Sequence, residues 1–254
     1  MTRRLGILVG GVLSAVFVGA TSAAAQTPAA AAAPSAPTER IFVHVNVGSQ
    51  AKAITDNEAF TFSLYGEDGT ASFSREVKGG LFPDLMVGIR VKNNFFIALQ
   101  SSVRTASADS PAVASVPDPI AFESPRVVTS TLAGMAHREL WASVLPAVVL
   151  PVRKNVDVTL FGGVSLVQLE HEIASFSATG IVEPGPTVTF TRVTESRSVW
   201  GFLVGADARY MFTDTVGAGA FVRYQRATVN FPGTGGLSLE VGGLQVGGGL
   251  RFRF

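Results

Sequence analysis

Three histidines, His44, His137 and His171, are the first residues to test for chemistry. Imidazole is the side chain that most readily moves a proton or holds a metal near neutral pH. The three fall in different segments, without the spacing of a histidine-based zinc site, and no cysteine supplies a thiolate. No metal and no cofactor is implied. His171 stands between Glu170 and Glu172. With Ser165 or Ser198 it could complete the nucleophile, base and acid of a hydrolase. The plainer reading of Glu170–His171–Glu172 is the solvated mouth of a loop, and His44 reads as an interior polar residue. A Gly-x-Ser-x-Gly nucleophile motif is absent. The three glycines between Val246 and Leu250 lie in a strand pattern, so they do not form a phosphate loop.

A second group of residues carries isolated charge within apolar segments: Asp84, Arg90, Arg104, Glu139, Asp157, Asp207, Arg209, Arg223, Arg251 and Arg253. Buried without partners, each would cost several kcal/mol or more, so they are expected to pair in one connected network. Such a network could plug a narrow lumen. Alternatively, Arg90, Arg209, Arg223, Arg251 and Arg253 could bias a small aqueous path toward anions.

The elements that hold these charges alternate with period two, the mark of strands with two unlike faces. In 199–212, Trp200, Phe202, Val204, Ala206, Ala208, Tyr210 and Phe212 oppose Gly201, Gly205, Asp207 and Arg209. In 244–254, Leu244, Val246, Leu250, Phe252 and Phe254 oppose Gln245, Arg251 and Arg253. The same scheme runs through 41–48, 81–92, 95–100, 156–166 and 216–224, giving roughly eight strands. Segment 140–152 is apolar on both faces, and Pro146, which lacks a ladder donor, predicts a bulge there. Short turns fall at 92–94, 153–155 and 213–215. Longer loops are expected at 53–69, 106–137 and 170–190, with a shorter one at 231–236; loop 106–137 is the expected place for partner contacts. Phe60, Phe62 and Leu64 alternate before a possible return strand at 70–78. This reads as a hairpin above a membrane, because Arg75 would otherwise face lipid; in the wall, it would give ten strands.

The hydrophobic share is 47% and the charged share 15%, so the question is where the apolar excess lies. Its longest run after residue 38, residues 140–152, is too short for a membrane helix and contains Pro146 and Pro151. Basic Arg3 and Arg4, an apolar stretch 5–20 and Ala23–Ala25 read as a leader, 1–25, cleaved before Gln26. Residues 26–39 read as an Ala/Pro-rich linker. Loss of Arg3 and Arg4 takes the 20 basic residues to 18 against 19 acidic ones, which gives no reason to expect a nucleic-acid partner. Trp200 and Tyr210, ten positions apart on one face, would stand about 25 Å apart along a membrane normal. With Phe212, they predict two aromatic girdles.

Phe254 at the end, with Phe252, Leu250 and Val246 at alternating steps before it, resembles the sorting signal of bacterial outer-membrane barrels. Gly248 departs from the apolar residue usual at its step, and Phe252 stands where Tyr is frequent. Residues 40–254 resemble the small eight-stranded, porin-like family of the outer-membrane protein A type. The resemblance implies an all-β, antiparallel up-and-down transmembrane barrel, inserted by the barrel assembly machinery and surrounded by outer-membrane lipid. A monomer with a structural or surface-interaction role and no catalysis is expected. The alternatives are a narrow channel or small-solute carrier, and a lipid-modifying enzyme built on His171.

Overall fold

A computed structural model describes residues 39–180, 187–231 and 237–254. The expected leader, 1–25, and all of the linker except Glu39 lie outside these residues. Ten strands follow one another: β1 (Ile41–Gln50), β2 (Ile54–Leu64), β3 (Glu67–Val77), β4 (Leu81–Lys92), β5 (Phe95–Val116), β6 (Arg126–Arg153), β7 (Val156–Thr179), β8 (Thr187–Met211), β9 (Val216–Phe231) and β10 (Leu237–Arg253). Every pairing is antiparallel. β1 pairs with β4 on one side and with β10 on the other, and the sheet continues from β4 through β5, β6, β7, β8 and β9 to β10. The result is a closed, up-and-down ring of eight strands. The closing ladder runs from Phe42↔Arg253 to Gln50↔Gln245. At its foot the amides of Arg40 and Ile41 donate to the Phe254 carbonyl, and the Phe254 amide donates to Ile41.

The other two strands form a hairpin set into the β1–β4 connection. β2 and β3 pair along their whole length around a Tyr65–Gly66 turn, in which both residues have positive φ. Only Thr70–Phe73 of this hairpin joins the ring, on β5 at Ala112–Ser115. The hairpin is therefore outside the ring, but the expected reason was wrong: Arg75 points inward and is 3% exposed.

The long loops are mostly strand. β5 and β6 remain paired as far as Val116↔Arg126, leaving only 117–125 as their connection. β7 and β8 remain paired as far as Thr179↔Thr187, and residues 181–186 lie outside the described set, as do 232–236. Alternation in 105–116 is weak in the sequence because the inward positions are small: Ala106, Ala108, Ser110, Ala112 and Ala114. Segment 140–152 has a definite orientation, with Trp141, Ser143, Leu145, Ala147 and Val149 inward. No bulge occurs at Pro146. The register is the same at Val144↔Val164 and Ala147↔Phe161, and the irregularity comes later, between Pro151 and Arg153. Pro146 faces outward near Gly162 and Gly163, where its missing donor leaves a gap in the ladder without shifting it.

Glycines make room for rings inside this narrow cylinder. Phe42 is the direct cross-strand partner of Gly88, and Phe82 that of Gly48. A Cβ on either glycine would collide with the facing phenyl ring.

Candidate functional site

The outward surface of the ring is an apolar belt. Leu81, Leu85, Ile89, Leu99, Val144, Val164, Phe202, Val222, Val246 and Leu250 are all exposed on it. Soluble proteins do not leave a continuous apolar surface of this size in water. The belt has sharp edges. On one side the last apolar outward residues are Val103, Leu140, Leu166, Trp200 and Tyr224, followed two positions on by Thr105, Arg138, Gln168, Ser198 and Arg226. On the other side lie Phe95, Val152, Phe212 and Phe254. From Trp200 to Phe212 is twelve residues, about 30 Å of height at the usual rise and tilt. Trp200 is 73% exposed and Tyr210 and Phe212 project from the opposite edge, 5.5 Å apart. Leu250 and Phe254 are exposed on the belt, and Phe252 is half-buried.

The inward surface is charged and paired. Near the short turns, Arg209 bridges Asp157 Oδ2 at 3.0 Å and the Glu39 carboxylate, with Arg90 and Arg253 3.9 Å from Glu39 and Asp157 respectively. At mid-height Arg251 clasps Asp207 through Nε at 3.0 Å and Nη2 at 2.5 Å, and donates to Asn46 Oδ1. Asn46 passes the chain to Asp84, which also accepts from Gln100 and from Arg223 at 2.6 Å. Arg223 continues to Gln245, and Gln245 to Gln50. His44 is buried against this group, stacked on Phe42 and 3.7 Å from Asp207. The opposite wall of the lumen is apolar: Phe96, Leu145, Val149, Phe161 and Leu203 pack there.

Beyond the belt edge lies a second polar cluster. Arg104 pairs with Glu139 at 2.7 Å; Glu139 also receives the Trp141 indole hydrogen and touches His137. His137 meets His171, and His171 meets Asp56 and Arg75 of the hairpin. A layer of Trp141, Val167, Leu169, Val229, Phe231 and Val241 separates this cluster from the network below.

Described charges inside the ring and hairpin balance. Seven arginines (Arg75, Arg90, Arg104, Arg209, Arg223, Arg251, Arg253) face seven carboxylates (Glu39, Asp56, Glu58, Asp84, Glu139, Asp157, Asp207). No lysine is among them; Lys52, Lys78, Lys92 and Lys154 are exposed at turns and strand ends. A guanidinium fork can serve two acceptors from one fixed geometry, which an ammonium cannot do as well.

Each charge named from the sequence lies inside the ring, but in three separate groups rather than the one connected network expected, since an apolar layer parts the upper group from those below. Glu39, Asp56, Glu58 and Arg75 lie inside as well, and all three histidines are buried among these charges. Continuing the β7 alternation past Leu166 would have placed Val167, Leu169 and His171 on the inner face with Asp157 and Ser165. His171 is fully buried, not at a solvated loop mouth. Neither candidate serine serves it. Ser165 lies six residues down the same strand, about 20 Å away, hydrogen-bonded to Ser143, and Ser198 is exposed on the outer face. Among the described residues, no group of three or more histidine and carboxylate side chains is placed to hold a metal.

No protein-family model matches the chain, and no curated protein matches it in sequence. Among solved structures it is similar to the outer membrane protein OprG from Pseudomonas aeruginosa, at 9% identity over 87% of this chain and 99% of that one, with a TM-score of 0.44. Neisserial surface protein A gives 13% identity, 84% and 97% coverage, and a TM-score of 0.44. Ail, the attachment invasion locus protein of Yersinia pestis, gives 12% identity, 84% and 99% coverage, and a TM-score of 0.36.

Proposed function

We propose that this chain is an outer-membrane barrel with a closed lumen, whose role is structural or surface-interactive rather than catalytic. One observation carries the reading: an apolar belt about the height of a bilayer core surrounds a lumen filled by paired arginines and carboxylates. An eight-stranded ring leaves an interior just wide enough for side chains, and here Arg209, Arg223, Arg251, Phe42 and Phe96 occupy it without exposure. The strands run on past the belt in β5–β6 and β7–β8, so the surface offered to partners is paired sheet carrying the 117–125 turn. On this reading Phe254, Phe252 and Leu250 serve insertion by the assembly machinery, lipid is the main partner, and the barrel works as a monomer. Reconstitution into planar bilayers tests the proposal. Closed traces at high salt are expected; reproducible unitary steps, reduced when Arg223 or Arg251 is replaced, would establish a narrow channel instead.

A further inference from the structure

Strands β4 and β6 end in the same way at the short-turn rim. In β4, Arg90 pairs with Phe96 and Lys92 with Phe95, so Val91 and Lys92 share one partner. In β6, Pro151 pairs with Asp157 and Arg153 with Val156, so Val152 and Arg153 do likewise. Strict alternation would send Lys92 after Arg90, and Arg153 after Pro151, into the lumen. The extra residue instead turns each cation to the outward side that its partner, Phe95 or Val156, already occupies. Each therefore follows an exposed valine, Val91 or Val152, at the margin of the belt.

Two more cations complete the group. Arg40 precedes exposed Ile41 on β1, and its carbonyl accepts from the Arg90 amide at 2.9 Å. Lys154 opens the β6–β7 turn. Because β1, β4, β5 and β6 are consecutive in the ring, the four exposed side chains lie along one arc of the rim. Nearby carboxylates are engaged elsewhere: Glu39 by Arg209 and Arg90, Asp157 by Arg209 and Arg253, and exposed Asp214 by Arg253. Among the described residues, Arg40, Lys92, Arg153 and Lys154 have no ion-pair partner. The far end of the barrel differs. There Arg126 pairs with Asp118, Arg138 with Glu170, Arg197 with Glu195 and Arg226 with Glu240.

Lysine and arginine carry their charge on apolar stems. Rooted at the belt margin, each can lay its stem against hydrocarbon and hold its charge among headgroups. A zwitterionic headgroup brings its own ammonium, which offsets the phosphate. A headgroup without one leaves a whole negative charge for the arc, and each basic residue near such a surface is worth about fivefold in binding. The sideways aim of Lys92 and Arg153, beside exposed valines, favours lipid over a soluble polyanion, which would meet cations pointing off the end of the barrel.

Given the membrane reading above, on which this rests, we propose that the arc of Arg40, Lys92, Arg153 and Lys154 selects anionic phospholipids in the leaflet at the short-turn end. The headgroup it takes is a phosphodiester without an ammonium of its own.

Refolding into vesicles of equal parts phosphatidylglycerol and phosphatidylcholine, with matched acyl chains, tests this. Mass spectrometry then counts the lipids retained on the barrel after release by detergent. The wild type should retain phosphatidylglycerol over phosphatidylcholine by at least about fivefold. Replacing all four cations by glutamine should bring the two lipids within about twofold, and the milder pair Lys92→Gln with Lys154→Gln should fall between. Replacing Arg126, Arg138, Arg197 and Arg226 by glutamine should leave the wild-type preference in place. Heat-modifiable gel mobility shows that each variant is folded. Equal retention of both lipids by the folded wild type overturns the proposal and leaves the membrane reading standing. So does a preference lost equally from the far-end variant, or an arc that binds soluble polyphosphate but prefers neither lipid. A chain that enters no vesicle overturns the membrane reading itself.

Discussion

Replacing Asp84 with Asn removes one charge from the middle of the lumen and almost no volume. Asp84 accepts from Arg223 Nη1 at 2.6 Å, Gln100 at 2.5 Å and Asn46 at 2.8 Å. Among the described residues it is the only carboxylate within salt-bridge reach of Arg223, whose other contacts there are Gln245 and the faces of Phe221 and Phe82. Those ring contacts exist with or without Asp84, so they do not offset its loss. Stranding a buried guanidinium in this way should destabilise the barrel by about 3–5 kcal/mol, roughly a hundredfold to several thousandfold in the unfolding equilibrium. Urea unfolding from lipid vesicles, followed by fluorescence of Trp141 and Trp200, measures it. Replacing the pair together, Asp84→Leu with Arg223→Met, should recover most of the loss, because the desolvation penalty goes with the charges. A loss under about 1 kcal/mol for Asp84→Asn would refute the reasoning: the pair would then be a solvated contact in a wet lumen, and the closed-barrel reading would fail with it.

The belt edge can be checked by moving one arginine along β8. Val204→Arg, well inside the belt, should cost about 2–4 kcal/mol of folding stability in vesicles, and Ser196→Arg, outside it, about none. Equal effects would mean that lipid does not end where the outward face turns polar. Gly88→Val pushes into the Phe42 ring, which stacks on His44, and should cost about 1–3 kcal/mol in urea titrations. Gly80→Ala, with no heavy atom near the added methyl, is the neutral control. Deleting Phe254 removes the carbonyl that receives the amides of Arg40 and Ile41, and should lower the heat-modifiable, folded fraction in outer membranes severalfold relative to total protein.

The belt and the mid-height charges were legible because each uses the strongest contrast a strand can show. In β8 bulky apolar groups alternate with glycine, Asp207 and Arg209; in β10 with glycine and Arg251. Where contrast is low, the reading broke down. β5 beyond Arg104 alternates Ala with Ser and Thr, so an inner face of small residues resembles a loop. The upper part of β8 carries Thr, Glu, Ser and Arg outward and inward alike, since much of it is exposed on both sides. The histidine cluster was hidden for another reason. His137 and His171 meet as direct partners across β6 and β7, and Asp56 and Arg75 reach them from a hairpin 62 or more residues earlier. Only pairing register brings those positions together, and hydropathy along one chain does not contain it.

The ring is closed by its first strand meeting its last. Until β10 is in place, a growing sheet of β4 to β9 would have two long open edges, with an apolar outer face and unpaired interior charges such as Arg251's partner Asp207. No smaller closed ring is available along the way, since β1 finds its second neighbour only in β10. Closure of the ring is therefore close to all-or-none, because β1 and β10 supply the seam together. The same geometry makes Glu39 a late fastener: its carboxylate reaches Arg209 and Arg90 only after the seam beside it has been drawn together.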